Sequence, residues 1–314
     1  MSHGLTLETF PEVERDVSLA SLTTYRFGGP ARFYAEVENA EQLSVLLSAR
    51  MNTSDRPVDL LILGRGSNLV VSDAGFDGLV IRLRGDFSTL QISDDGEVTA
   101  GGGVSLPLLA RQSVRAGRGG LEWCVGIPGS VGGAVRMNAG GHSGDMATWL
   151  LAVEVFDAAA LTLENRSATS LGFGYRSSNL TADHLVLNAT FRTVKRDPVQ
   201  GEEIVREITR WRRDHQPGGT LNAGSVFKNP PGDFAGRIIE ELGLKEFRVG
   251  GAYVSPRHAN FFVAERDASA QDVFDLVKAV QREVQRDTGL RLVPEVRFVG
   301  NFKNTSRGGE GDES

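Results

Sequence analysis

Apolar and polar residues alternate over Ala31–Val37. Helical spacing follows at once, with Leu43, Leu46 and Leu47 on one face of Glu38–Arg50. The pattern predicts a strand and then a helix. The unbroken apolar run Leu60–Leu63 predicts a second, buried strand, and Gly64-Arg65-Gly66-Ser67-Asn68 carries it into a third at Leu69–Val71. Residues 1–20 read as a short lead-in helix or arm. Residues 1–80 therefore form a small α/β unit in this reading.

Strand-length runs follow at Leu79–Leu83, Leu90–Ile92, Glu97–Ala100, Leu150–Phe156 and Leu185–Thr193, with a helix at Leu106–Ala116 that Gly117 stops. These define a larger α+β unit over residues 81–200. Ile204, Ile208 and Trp211 recur at helical spacing in Glu202–Arg213 and lead into a third unit, residues 201–305. This unit is expected to hold strands at Asn260–Ala264 and Glu295–Val299 and a helix at Phe234–Leu242. A last helix is the most legible. Ser269 is a good N-cap with Asp272 at N3, a variant capping box. Val273, Leu276, Val277, Val280 and Val284 form its apolar stripe, and Gly289 supplies the stop. Residues 306–314 read as a disordered acidic tail. The fold class is α+β, with no internal repeat.

Composition changes this picture in one respect. Glycine supplies 38 of 314 residues, about 12% against a usual ~7%, and twelve of those glycines lie between Gly101 and Gly141. The excess marks a region. Apolar residues at 40% and charged residues at 24% are ordinary for a soluble globular protein. The net charge of −6 gives no reason to expect nucleic acid or a membrane surface as partner. A single cysteine, Cys124, excludes an intramolecular disulfide and a multi-cysteine metal site, and the five histidines are scattered. No metal is expected. No apolar run approaches ~18 residues and no signal pattern opens the chain, so a cytoplasmic protein, monomeric and acting on small molecules, is expected.

The glycine-rich stretch is Gly126-Ile127-Pro128-Gly129-Ser130-Val131-Gly132-Gly133-Ala134, running on through Asn138 to Gly141. Glycine permits positive φ and close approach, and consecutive backbone N–H groups make anion-binding nests. A pyrophosphate held by main chain suits such a segment; a tight turn between strands is the plain alternative. The spacing is neither a Walker loop nor a Rossmann fingerprint. Together with Gly64–Asn68 it gives two glycine loops in separate units, as a long dinucleotide gripped between small domains requires.

Three other positions stand out. Arg176 follows an aromatic–glycine turn and could hold a carboxylate bidentately, or pair with a surface acid. Ser225 lies in a polar loop, where a lone serine is usually structural. Glu295 opens an apolar strand after Pro294, and a buried carboxylate needs a partner; a strand-end salt bridge is its plain reading.

In order along the chain, eight segments resemble the UDP-N-acetylenolpyruvoylglucosamine reductases, the MurB family. They are Thr24–Pro30, Gly64–Leu69, Gly126–Ala134 with Asn138–Gly140, Phe173–Ser177, Asn222–Pro230, Gly250–Ala252, His258–Asn260 and Pro294–Arg297. They span nearly the whole chain. The resemblance implies an FAD-binding unit of the vanillyl-alcohol-oxidase type, built from two α+β subdomains, and a C-terminal substrate-binding domain. On this resemblance Gly64, Arg65, Gly66, Ser67 and Asn68 hold FAD together with Gly126, Ile127, Pro128, Gly129, Ser130, Gly132, Gly133, Ala134 and Asn138. NADPH reduces the flavin, and flavin N5 passes hydride to the enol ether, giving UDP-N-acetylmuramate for peptidoglycan synthesis. Arg176 and Glu295 stabilise the developing enolate, Glu295 as a donor only when protonated, and Ser225 gives the proton, polarised by Lys228, Asn229 or water. Tyr175, Arg213, Gln216, Lys228 and Asn229 are the substrate-binding candidates, with Arg212 in a suitable segment and His258 and Asn260 weaker. Arg176 is followed within nine residues by the strand at Leu185, which leaves no room for the insertion whose tyrosine covers the substrate in many members. The resemblance is therefore to the shorter subtype. Another FAD-dependent oxidase or dehydrogenase of the same fold, and a flavin-binding protein without turnover, are the alternatives.

Overall fold

The computed structural model describes residues 5–53 and 57–304; the acidic tail lies outside the described residues. The first sheet has four strands in the order Glu14–Ser18, Pro30–Val37, Phe76–Leu83, Asp59–Ile62. The last three are parallel, and Glu14–Ser18 runs antiparallel along the edge. That edge strand lies within residues 1–20, where a short lead-in helix or arm is expected. Glu-Arg-Asp-Val-Ser has a single apolar residue, Val17, and so carries no period; pairing with Pro30–Val37 decides its conformation. The helix starts at Ala40, where Asn39 Oδ1 accepts the Gln42 N–H at 2.9 Å. It buries Leu43, Leu46 and Leu47 in a core that also takes Leu185 and Leu187 from the next unit.

The second sheet is antiparallel, in the order Thr162–Ser167, Leu150–Asp157, His184–Phe191, Val98–Gly101, Leu90–Ile92. Its edge strand Thr162–Ser167 is polar and mostly exposed, so it left no apolar pattern to read. The short helix Val131–Arg136 packs on this sheet, Leu106, Leu109 and Ala110 of helix Leu106–Arg115 join the same core, and helix Pro198–His215 packs on Leu106–Arg115. This last helix begins earlier than its apolar stripe because Asp197 caps it and Pro198 fits the first turn. The glycine stretch is not wholly loop. Val131–Arg136 forms a helix capped by Ser130, burying Val131, Ala134 and Val135. Burial of those three side chains outweighs the ~1 kcal/mol that each glycine costs in a helix.

The third unit has a sheet of Arg248–Val249, Ala252–Val254 and Phe262–Ala264, with helices Ala235–Glu241 and Ala270–Thr288. The capping box forms: Ser269 Oγ accepts the Asp272 N–H at 3.1 Å, and Asp272 Oδ2 accepts the Ser269 N–H at 2.9 Å. Strand Arg297–Val299 leaves this unit and pairs parallel with Leu69–Val71 of the first. Two further ties hold the units together. Asp73 accepts the N–H groups of Ala270 and Gln271 at 3.0 and 3.2 Å. Tyr25 is buried in the third unit's core and donates its hydroxyl to the Phe262 carbonyl at 2.9 Å. Among the described residues, no helix is long and apolar enough to cross a membrane.

Candidate active site

The two glycine loops meet. A Cβ on Gly64 would overlap Ser130 Oγ, so the close apposition of the loops requires glycine there. Gly66 adopts φ +60°, and a Cβ on it would overlap the Leu22 carbonyl. Ser67 faces Gly129 across the gap. Among the described residues, none of the backbone N–H groups of Gly64 to Asn68, nor those of Gly129 and Ser130, finds a hydrogen-bond partner. Gly129 is also not demanded by packing, since a Cβ there would meet nothing nearer than 3.7 Å. Free peptide donors around space that a side chain would fill fit the diphosphate of a dinucleotide. Arg65 is exposed at the rim. Asn68 turns inward, donating to the Glu295 carbonyl at 3.1 Å. Gly126 is buried against His142 and Ile208, Ile127 is half-buried and Pro128 exposed, while Gly132, Gly133 and Ala134 lie in the short helix.

Asn138, expected among the cofactor-binding residues, has its side chain committed to the protein itself. It is 6% exposed, and both ends of its carboxamide are committed: Nδ2 donates to the Gly174 carbonyl at 2.9 Å, and Oδ1 accepts the Ala147 N–H at 2.9 Å. Its side chain therefore fixes the turn that carries Arg176. Gly174 and Ser177 exchange backbone hydrogen bonds, which leaves Tyr175 and Arg176 at the tip with Arg176 at φ +53°. A non-glycine residue in that region is strained and persists only where its surroundings hold it. Arg176 is held by a bond from its guanidinium to the Gly140 carbonyl at 2.8 Å and by Nε at 3.0 Å from Glu295 Oε1. The latter approach lacks hydrogen-bond alignment and acts as a charge contact.

Glu295 comes from the third unit and its side chain is 12% exposed. Burial pushes its carboxyl above the usual range, and the charges of Arg176 and Lys228 only partly oppose that. Its N–H binds the Val226 carbonyl at 2.7 Å, placing it beside the Ser225–Lys228 segment. The Ser225 hydroxyl has no partner among the described residues and is half-buried. Lys228 Nζ donates to the Arg176 carbonyl at 3.2 Å, and the Asn229 N–H points to the Tyr175 hydroxyl at 3.4 Å. The structure thus brings Arg176, Glu295, Ser225, Lys228, Asn229 and Tyr175 to one seam.

The diphosphate candidates separate. Arg213 is exposed and pairs with its neighbour Asp214 at 3.2 Å. Arg212 is the inward arginine. Burial lowers its guanidinium's proton affinity, and it makes no ion pair among the described residues. Its charge, after burial, holds His142 below the ordinary imidazole range. His142 packs edge-on to Trp211 at the tip of the hairpin that begins at Gly140, so Arg212 lies on the Arg176 side of the molecule. Gln216 keeps a buried Oε1 without a partner among the described residues. Spacing in a helix end gave no means to rank Arg212 over Arg213; burial does. His258 and Asn260 serve the protein's own backbone, and Asn260 is 3% exposed.

Residues 31–164 match the family described as FAD binding domain, and residues 216–299 match that described as UDP-N-acetylenolpyruvoylglucosamine reductase, C-terminal domain. The chain is 43% identical over 290 residues to UDP-N-acetylenolpyruvoylglucosamine reductase 2 of Symbiobacterium thermophilum, covering 92% of each. It is 43% identical over 293 residues to the reductase of Synechococcus sp. strain WH7803, covering 92% of this chain and 93% of that one. The crystal structure of the Thermus caldophilus reductase superposes with a TM-score of 0.79 at 40% identity, over 93% of this chain and all of that one. The chain belongs to the UDP-N-acetylenolpyruvoylglucosamine reductase family.

Proposed function

We propose that the protein reduces the enolpyruvyl ether of UDP-N-acetylglucosamine to the lactyl ether, with NADPH as reductant and FAD as its cofactor. The carrying observation is the half-buried Arg176–Glu295 contact across two units, 3.0 Å long, beside the segment that presents Ser225. When bound, FAD supplies the two-electron hydride chemistry that links NADPH to the enol ether. The free N–H groups of Gly64–Asn68, Gly129 and Ser130 hold its diphosphate.

Hydride addition to the alkene builds negative charge on the substrate carboxylate, so donors must stand ready there. The Arg176 guanidinium, fixed by Gly140, faces that charge. Glu295 holds its proton to higher pH than an exposed carboxyl and donates a hydrogen bond to the same group. Protonation of Glu295 also frees Arg176 from its charge contact in favour of the substrate carboxylate. The Ser225 hydroxyl gives its proton to the second alkene carbon. A serine hydroxyl is a weak acid, and the nearby Lys228 ammonium offsets the alkoxide that forms. Asn229, Gln216 and Arg212 hold the substrate diphosphate, and the exposed Tyr175 ring borders the opening.

The test is a cuvette without oxygen. The visible flavin spectrum is expected to bleach with NADPH and return on adding the enolpyruvyl sugar nucleotide. Return only in oxygen would identify an oxidase instead. Ser225→Ala is expected to keep FAD and the bleaching step but to slow the return by ~10²–10³-fold; a return at the normal rate would remove Ser225 from the reaction.

A further inference from the structure

Val226 and Phe227 form the backbone on which the site's third-unit half is strung. On one side, the Glu295 N–H reaches the Val226 carbonyl at 2.7 Å and the Lys228 N–H reaches the Val293 carbonyl at 2.9 Å. On the other side, the Val226 N–H donates to the Asn260 backbone carbonyl at 2.8 Å. Beyond that point, among the described residues, no strand continues on this side of Phe227. The Asn260 side chain takes its place. Oδ1 accepts the Phe227 N–H at 2.9 Å, and Nδ2 donates to the Phe227 carbonyl at 2.8 Å.

We infer that Asn260 is a positioning residue for the reduction, one that touches no ligand and sets the register of Ser225, Lys228 and Glu295. This rests on the reading of those three residues given above. A carboxamide carries one acceptor and a donor at the spacing of a peptide unit, so it satisfies both polar groups of Phe227 at once. Aspartate keeps the acceptor and sets a second acceptor against the Phe227 carbonyl. Leucine satisfies neither. Asn260 is 3% exposed and Phe227 is 1% exposed, so no water replaces the lost bonds. The Phe227 peptide then seeks another partner, and the neighbouring Ser225 and Lys228 side chains move with it. A shift of ~1 Å in a reacting group costs on the order of 10²-fold in rate. The glycine loops that bind the dinucleotide are in other units and keep their geometry.

The experiment is anaerobic stopped-flow on FAD-loaded Asn260→Asp and Asn260→Leu, with Ser225→Ala alongside. Bleaching by NADPH and flavin content gauge the integrity of the holoenzyme. The limiting rate of reoxidation by the enolpyruvyl sugar nucleotide gauges the register. Both Asn260 variants are expected to bleach normally and to reoxidise ~10²-fold more slowly at saturation, with substrate affinity little changed. Normal reoxidation overturns the inference. So does loss of flavin, bleaching and reoxidation together, which would make Asn260 a fold residue only. If Ser225→Ala reoxidises normally, the proton-donor reading fails by itself; the Asn260 result still stands or falls through Lys228 and Glu295.

Discussion

Glu295 is a carboxyl that burial and neighbours pull in opposite directions. Burial is the larger effect, so the folded protein holds this proton to a higher pH than the unfolded chain does. Folding takes up a proton at this residue. Its favourable contribution is complete below the ordinary glutamate range and is lost as pH rises through the raised value. Glu295→Gln keeps the shape without the titration. Thermal unfolding across ~pH 4–8 is expected to show the variant gaining on the parent protein as pH rises, while turnover is expected to fall. A constant difference over that range would mean that Arg176 and Lys228 fully compensate the buried charge. At this scale the residue types are legible in the sequence but their company is not. Arg176, Ser225 and Glu295 each stand out yet have a plain structural reading until eight ordered segments tie them together. The inward choice of Arg212 and the clamping role of Asn260 depend on burial and on partners more than thirty positions away, which no local spacing encodes.

Elements were legible where local chemistry and packing agree. The Ser269–Asp272 capping box and the Val273–Val284 stripe were readable because cap, period and core contacts coincide. Polar edge strands such as Glu14–Ser18 and Thr162–Ser167 were not, since only a partner strand specifies them. The glycine loops lie between these cases: their spacing marks them in the sequence, while the structure separates a glycine that packing demands, Gly66, from one that packing leaves free, Gly129. Gly66→Ala should fail twice. Its φ of +60° disfavours any Cβ, and the Leu22 carbonyl occupies the space, so apoprotein stability and FAD binding both fall. Gly129→Ala should fail once. With no atom nearer than 3.7 Å, the apoprotein should melt within ~0.5 kcal/mol of the parent. With FAD seated as proposed, the new methyl group is expected to crowd the dinucleotide and weaken FAD by ~1–3 kcal/mol. Fluorescence titration of apoprotein with FAD, beside a melting curve, separates the two variants. Undiminished FAD affinity in Gly129→Ala would remove that gap from the cofactor site.

At the scale of the molecule, the third unit belongs mechanically to the first. The ladder Leu69–Val71 with Arg297–Val299, the Asp73 cap and the buried Tyr25 hydroxyl all join them. Its contacts with the second unit at the site are side-chain ones: Arg176 with Glu295, Lys228 with the Arg176 carbonyl, and Asn229 with the Tyr175 hydroxyl. Admission of a nucleotide should therefore open this seam and leave the ladder shut. Hydrogen exchange is expected to find residues 69–71 and 297–299 equally protected with and without the enolpyruvyl sugar nucleotide. Protection at 174–177 and 228–229 should rise on binding. Tyr25→Phe tests the anchor itself, because it leaves the buried Phe262 carbonyl without its donor at a cost of ~1–3 kcal/mol. That variant should melt lower and exchange faster at 262–264, while the seam still closes on the ligand. If ligand instead changes exchange along the ladder and spares the seam, the third unit pivots on the first, and Tyr25 is its hinge pin rather than its anchor.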